Sequence, residues 1–336
     1  MKHPTPRRVA VLAGGYSGEA EISRKSAAMV LAHMDRELFV PVLIHIDVEG
    51  WWCVRPQDDQ RVVVDQRTFS FATADGDRWT PQLAFVIVHG TPGEDGILQR
   101  GLESAGIPHT TASSDTMALT FHKGQTNRAL REAGLPVAAS DEVDPDETWD
   151  NEHQESVLSR LGLPVFVKPN EAGSSLGISK VKRASELWPA VEAARAEEGG
   201  SVLVEANLEG REFSCGVIPD GAGGLQVLPV TEILTDNEFF DYAAKYKGQS
   251  QEITPAPLDG QDTAELQSIT LRVYETLHLR GMARVDMMLV PGNTAHVIEI
   301  NGVPGFSEAS IVPKQAAAVG LNKRALVTRL LQAAAL

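Results

Sequence analysis

Apolar and polar positions change period several times along this chain, and each change marks an element. Arg8 to Ala13 is a short β-type run, broken by Gly14 and Gly15. From Ile22 to Met34 the apolar residues Ile22, Ala27, Met29, Val30 and Leu31 recur with helical spacing. Phe39 to Ile46 and Leu83 to Val88 read as further strands, the second ending at His89-Gly90, and Gly96 to Ala105 reads as a helix. Strand, glycine turn, helix, strand is the signature of a doubly wound α/β domain, whose ligands sit beyond the C-terminal strand ends. Gly14-Gly15 and His89-Gly90 both fall there.

One helical stretch is expected from Ser114 to Ala133, stopped by Gly134-Leu135-Pro136. The acidic segment Asp141 to Glu155 reads as a solvated turn and helix start. Strands follow at Pro164 to Lys168, Ile178 to Val181 and Val202 to Glu205, with a small-residue loop at Glu171 to Gly177 and a helix over Ala184 to Glu198. Ala283 to Val290 and Ala295 to Ile300, joined by Pro291-Gly292-Asn293, read as a hairpin. An Ala- and Leu-rich helical end starts near Lys314. Repeats and low-complexity tracts are absent.

Composition narrows the classes. The 336 residues fit two or three packed domains, and 43% hydrophobic with 22% charged residues is ordinary for a globular protein. The formal net charge of -15 argues against a nucleic-acid partner, although a local pocket can still bind a nucleotide. Cys53 and Cys215 are far apart and suggest neither a disulfide framework nor a zinc cluster. The apolar run at Val9 is too short for a signal segment, and nothing approaches a membrane span, so the expectation is a cytoplasmic protein without membrane contact.

Candidate chemistry gathers at the element ends. In the hairpin, Arg284 and Asp286 share one strand face, as do Glu299 and Asn301 on its partner. Two carboxylates and a carboxamide are hard oxygen ligands that suit Mg²⁺. The same residues are also compatible with two exposed acids on an ordinary hairpin. Gly302, Pro304 and Gly305 then form an irregular loop with free backbone N–H groups. Lys168 ends a strand and runs into the Gly173-Ser174-Ser175 loop, which suits a phosphate or equally a mobile surface loop; the Walker spacing GxxxxGK[ST] is absent. Glu205 and Glu212 can hold a ribose or be surface acids around a turn. His89 can bind a substrate carboxylate or cap a helix, and Glu19 sits where a helix N-terminus stabilises an acid anyway. Lys123 carries no signal of its own. The aromatic and charged stretch Phe239 to Tyr246 has the character of a lid.

The order of these signals resembles the D-alanine–D-alanine ligases of the ATP-grasp class. The resemblance runs from Val9 to about Gly320 and rests on GGYSGEAEIS, HGTPGEDG, KPNEAGSSLGISKV, FFDYAAKY, ARVDMML and EINGVPGFSEASIVP together. It implies a three-domain α/β (α+β) ATP-grasp architecture. Residues 1–121 would form the N-terminal doubly wound domain, 122–208 the central unit, and 209–336 the metal-binding unit with a lid near 236–250. It implies ATP-dependent joining of two D-alanines through an acyl phosphate, for peptidoglycan precursors and hence cell-wall biogenesis and cell shape. Lys123, Lys168 and Ser175 would serve the ATP phosphates, Glu205 with Ala206, Asn207 and Leu208 the adenine, and Glu212 the ribose. Asp286, Glu299 and Asn301 would hold two Mg²⁺ ions, with Mn²⁺ a workable substitute. Glu19 would receive the first D-alanine's ammonium and His89 lie near its carboxyl end. Ser174 and Tyr246 would link to Glu19 and close the lid, and Lys245 would sit by the transferred phosphoryl group. Arg284 and the Gly305 N–H would stabilise the oxyanion, and Ser310 and Ile311 hold the second carboxylate. A homodimer through the N-terminal domain is also implied.

The chain departs from the family pattern in places. Gly302 stands where threonine is usual, Phe121-His122 where Met-Asp is common, and Ala206-Asn207 where bulkier residues form the adenine hinge. The Lys245-Tyr246 pair is retained, and in the family that tyrosine goes with amide rather than ester formation. Other readings are an ATP-grasp ligase for a different amino or hydroxy acid pair, and a non-catalytic nucleotide-binding regulator. The second predicts loss of the metal ligands or Arg284, and none is lost. A dehydrogenase would need GxGxxG after the first strand, which is absent.

Overall fold

The computed structural model describes residues 5–171, 173, 177–198, 200–235, 250–292 and 294–336. The expected lid residues, including Lys245 and Tyr246, and the loop residues Ser174 and Ser175 lie outside them.

The first unit opens with β1 (Arg7–Gly14), α1 (Ala20–His33) and β2 (Phe39–Asp47). Strands β3 (Gly50–Val54), β4 (Arg61–Val63), β5 (Phe71–Ala72), β6 (Arg78–Trp79) and β7 (Leu83–Val86) follow. The main sheet runs β4-β3-β2-β1-β7, parallel at β2-β1-β7 and antiparallel at its β3-β4 edge, while β5 and β6 pair separately. Side-chain alternation in β1 explains its central place. Val9, Val11 and Ala13 enter one buried cluster, and Ala10 and Leu12 enter another on the opposite face. Gly14 ends the strand at φ +105°, and a Cβ there would lie 2.2 Å from the Ile46 carbonyl oxygen, so only glycine lets the chain turn off the sheet.

Helices α2 (Ile97–Ser104), α3 (Ser114–Phe121) and α4 (Lys123–Glu132) follow. The single helix expected from Ser114 to Ala133 is two. His122 adopts extended backbone (φ -90°, ψ 100°), and its Nδ1 accepts from the Gln125 N–H at 3.3 Å, starting a new helix with Lys123 in its first turn.

The middle unit holds β8 (Ser140–Val143), α5 (Asn151–Leu161), β9 (Val165–Pro169), β10 (Ser179–Val181), α6 (Leu187–Glu198) and β11 (Val202–Ala206). Its sheet order is β10-β9-β11-β8, all antiparallel. The acidic run expected to be turn and helix start begins instead as edge strand β8, which pairs with β11 from Ser140 to Val143 and buries Val143. A separate core cluster of Val, Leu and Trp149 lies under this sheet.

The last unit contains β12 (Arg211–Pro219), β13 (Leu225–Val227), β14 (Thr231–Thr235), β15 (Ser250–Ile253) and α7 (Gly260–Thr276). Strands β16 (Ala283–Leu289) and β17 (Ala295–Asn301) and helices α8 (Ile311–Ala318) and α9 (Lys323–Ala334) complete it. Its sheet runs β15-β14-β12-β16-β17, with β13 beside β12. The β16–β17 hairpin has the expected register, Arg284 opposite Asn301 and Asp286 opposite Glu299. One continuous core joins the α1 face of the first sheet to this unit, from Val9 and Phe85 through Val285 and Phe306 to Leu330. No helix of the described residues is long and apolar enough to cross a membrane.

Candidate active site

The hairpin supplies the most densely bonded group. The Asp286 carboxylate is buried, and Arg284 donates to both its oxygens, Nε to Oδ1 at 2.8 Å and Nη2 to Oδ2 at 2.7 Å. Asn301 Nδ2 donates to Oδ2 at 3.0 Å from the facing strand, and Ser214 Oγ on β12 donates to Oδ1. Period-2 alternation on β16 and pairing with β12 and β17 bring these four together. Glu299, opposite Asp286, has an oxygen 3.6 Å from Lys123 Nζ. The break at His122 therefore places Lys123 at a carboxylate proposed to hold metal. Among the described residues no three His, Cys, Asp or Glu side chains form a metal cluster. The donor set is two carboxylates and a carboxamide oxygen. All are hard, and so few of them leave room for water and phosphate oxygens, which fits Mg²⁺.

Beside the hairpin lies a cavity of about 580 Å³, within the range of small-molecule sites. Glu19, His89, Lys123, Arg284, Glu299, Asn301, Gly305, Ser310 and Ile311 all line it. Glu19 is the N-cap residue of α1, and its backbone N–H reaches Ser17 Oγ at 3.3 Å. Ser310 is the N-cap residue of α8, and its hydroxyl lies 2.9 Å from Ser307 Oγ. The N-terminus of that helix points positive charge and free N–H groups at the cavity, the usual receptor for a carboxylate.

His89 is buried, and both its ring nitrogens have partners. Nδ1 lies 2.8 Å from the Val303 carbonyl and Nε2 3.3 Å from Ser26 Oγ. Desolvation pushes its pKa below the ordinary 6.5, against the opposing pull of the Glu19 charge. Glu94 is the converse. Burial first, then the neighbouring Glu19 charge, raises its pKa to about 8, while it accepts from the N–H groups of Gly90 (2.8 Å) and Val303 (3.2 Å).

The remaining expected residues gather elsewhere. Lys168 Nζ donates to Glu205 Oε2 at 2.7 Å between adjacent strands β9 and β11, with both side chains less than 10% exposed. Asn127 Nδ2 donates to Glu205 Oε1 at 3.0 Å. Ala206 ends β11, Asn207 and Leu208 lie in the irregular segment after it, and Glu212 lies in β12 rather than in a turn. None of these lines the hairpin cavity. Asn170 ties the two groups together. Its carbonyl accepts from Lys123 N (3.1 Å) and its side chain from Gly124 N (2.8 Å).

Models of the families described as "D-ala D-ala ligase N-terminus" and "D-ala D-ala ligase C-terminus" match residues 8–112 and 129–332. The chain belongs to the D-alanine–D-alanine ligase family. It is 39% identical to the D-alanine–D-alanine ligase of Porphyromonas gingivalis over 99% of this chain and 98% of that one. It is 38% identical to that of Flavobacterium johnsoniae over 97% and 98%. Among solved structures it resembles the VanG D-Ala:D-Ser ligase from Enterococcus faecalis, with a TM-score of 0.85, 28% identity, and coverage of 98% of this chain and 100% of that one. The D-alanine–D-alanine ligase from Coxiella burnetii matches at TM-score 0.83 and 28% identity, over 98% and 95%. The mixed α/β fold with several sheets is that of D-alanine–D-alanine ligases.

Reading residues one by one missed Ser26, Glu94, Asn127, Asn170 and Ser214. A signal existed for three of them. Ser26 interrupts the apolar face of α1, Glu94 stands inside the HGTPGEDG motif, and Asn170 inside KPNEAGSSLGISKV. Asn127 and Ser214 acquire meaning only from partners 78 and 72 positions away.

Proposed function

We propose that this chain joins two D-alanines into D-alanyl-D-alanine at the expense of ATP, for peptidoglycan precursor synthesis in the cytoplasm. One observation carries the reading. In a chain of this family, an ammonium receptor (Glu19), a phosphate lysine (Lys123), an oxygen-donor set (Glu299 and Asn301 beside Asp286) and a guanidinium (Arg284) converge on one cavity, with a helix N-terminus at its rim.

The chemistry explains the residue types. A carboxylate is a poor electrophile, so its oxygen takes the γ-phosphoryl group of ATP and ADP leaves, giving an acyl phosphate. That transfer needs positioning and charge neutralisation more than covalent help. Lys123, Lys168 and Ser175 serve the phosphates, Glu205 and the segment Ala206, Asn207 and Leu208 the adenine, and Glu212 the ribose. Asp286, Glu299 and Asn301 would hold two Mg²⁺ ions, which neutralise phosphate charge when bound. Glu19 holds the first ammonium. The second D-alanine, its carboxylate at Ser310 and Ile311, attacks the acyl carbon through its amine, and phosphate departs. Arg284 and the Gly305 N–H stabilise the oxyanion, at roughly 3–4 kcal/mol per donor in comparable acyl-transfer sites. Ser174 and Tyr246 would link to Glu19 and close the lid that shields the acyl phosphate from water, and Lys245 would sit by the transferred phosphoryl group.

The three sheets support the division at 1–121, 122–208 and 209–336, since each of those spans contains one main sheet. A homodimer through the first unit follows the same family reading. The deciding experiment measures phosphate release from Mg·ATP with D-alanine, with L-alanine, and with D-alanine plus D-serine or D-lactate, and identifies the product by mass. D-Alanyl-D-alanine from D-alanine alone is the expected result. ATP binding without D-alanine turnover would overturn the substrate assignment.

A further inference from the structure

Two residues on either side of Gly305 are held from the first unit. At Val303, the N–H donates to Glu94 Oε1 at 3.2 Å, and the carbonyl accepts from His89 Nδ1 at 2.8 Å. At Phe306, the N–H donates to Ser26 Oγ at 3.2 Å, and its ring lies 5.9 Å from that of Phe85 on β7. Ser26 Oγ in turn lies 3.3 Å from His89 Nε2. Ser26, Phe306 and His89 are all buried, Ser26 and Phe306 completely.

Donor and acceptor roles in this set are forced. A carbonyl only accepts, so His89 Nδ1 carries the proton. The neutral ring then has an acceptor at Nε2, so the Ser26 hydroxyl must donate to it. That leaves the Ser26 lone pairs for the Phe306 N–H. One hydroxyl therefore closes a circuit running from Phe306 through Ser26 and His89 to Val303. The circuit spans Pro304-Gly305 and fixes where the Gly305 N–H points. A hydroxyl that both donates and accepts is required; a methyl or hydrogen can do neither.

We propose that Ser26 is a positioning residue for acyl transfer, holding the Gly305 N–H on the oxyanion through His89 and Phe306. His89 then works by orienting the loop, both its nitrogens being spent on protein. The proposal rests on the reading of Gly305 as an oxyanion donor. An amide held this way is preorganised before charge develops, which is where such donors have their effect.

The test compares steady-state kinetics of the full chain with Ser26→Ala, Ser26→Thr, His89→Ala and the Ser26→Ala/His89→Ala double variant, after confirming folding by thermal denaturation. Ser26→Ala is expected to lose about tenfold to a hundredfold in kcat, as a misplaced site does, with the KM for ATP unchanged. Ser26→Thr, which keeps the hydroxyl, should recover part of it. The double variant should be no slower than the slower single variant, because both interrupt one circuit. A folded Ser26→Ala enzyme with unaltered kcat, or fully additive losses, would overturn the proposal. If the unmodified chain makes no dipeptide from D-alanine, it is the substrate assignment that fails. If it does, but Ser26→Ala changes only thermal stability, Ser26 is structural and the assignment stands.

Discussion

Lys168 and Glu205 meet between neighbouring strands of one antiparallel sheet, whereas the loop from Gly302 to Phe306 is held by side chains 209, 214 and 280 positions away in sequence. The first arrangement is set by strand register. Lys168 stands opposite Leu203 and Glu205 opposite Phe166, so the lysine and the acid are diagonal neighbours on one face of the sheet. The second depends on two separately built units sharing a core, so the docking of α1 and β7 against the last unit decides where the loop lies. Arg284, Asp286, Lys168 and Glu205 all sit on strands, whereas Gly305 sits on a loop buttressed by another unit.

The largest expected effect falls at Arg284, a strand-held charge that lines the same cavity as the loop. Arg284→Ala should lower kcat/KM for D-alanine about a thousandfold, the scale for a principal oxyanion donor. Arg284→Lys should recover only a small part, because an ammonium cannot span both Asp286 oxygens as the guanidinium does. Steady-state assays of the two variants decide it; a lysine enzyme near normal rates would remove Arg284 from the oxyanion role.

At the sheet-held end, Lys168→Ala strands a buried carboxylate. The expected loss is about 3–5 kcal/mol of folding stability, much of it restored by adding Glu205→Gln, which removes the orphaned charge. Urea unfolding of the single and double variants measures both. Two costs that simply add would mean that the pair is not energetically coupled.

Legibility in the sequence followed the same divide. The first βαβ segment, the β16–β17 hairpin and its four polar residues were readable, because alternation places Arg284 with Asp286 and Glu299 with Asn301 whatever the surroundings. Strands β12 to β15 and helix α7 were not picked out as elements, nor was the break at His122. That break depends on a histidine side chain capping the next helix, a role for which Ser, Asp or Asn is the usual signal. The pairing of Lys123 with Glu299 and the circuit through Ser26 stayed hidden for a further reason. They are contacts between units, and no local period encodes them.

The loop-held end has a titration signature. Glu94 keeps its proton in the fold to about pH 8 but loses it near 4.5 when unfolded. The native state therefore binds more protons between those values, and stability falls as pH rises from about 4.5 to 8, then levels. The slope has a ceiling of about 1.4 kcal/mol per pH unit. Unfolding of the unmodified protein and of Glu94→Gln across pH 5 to 9 should show the slope in the first and its loss in the second. Parallel profiles would mean that Glu94 titrates normally.

The smallest effect concerns Gly302, the position where the family usually has threonine. A Cβ there would lie 2.6 Å from Met117 Cε and 2.8 Å from its Sδ, so Met117 of α3 occupies the space that a side chain would need. Met117 is completely buried in the core that joins the first and last units. Its three rotatable bonds let the thioether swing away, but only by displacing packed neighbours, so Gly302→Ala should cost about 1 kcal/mol. With Met117→Ala as background the same insertion meets free volume and should become neutral or stabilising, a coupling of about 1 kcal/mol between the two sites. Thermal or urea unfolding of both single variants and the double variant reads this directly. If the costs add without coupling, Met117 does not account for the glycine, and the departure from the family pattern has its origin in the backbone of the loop.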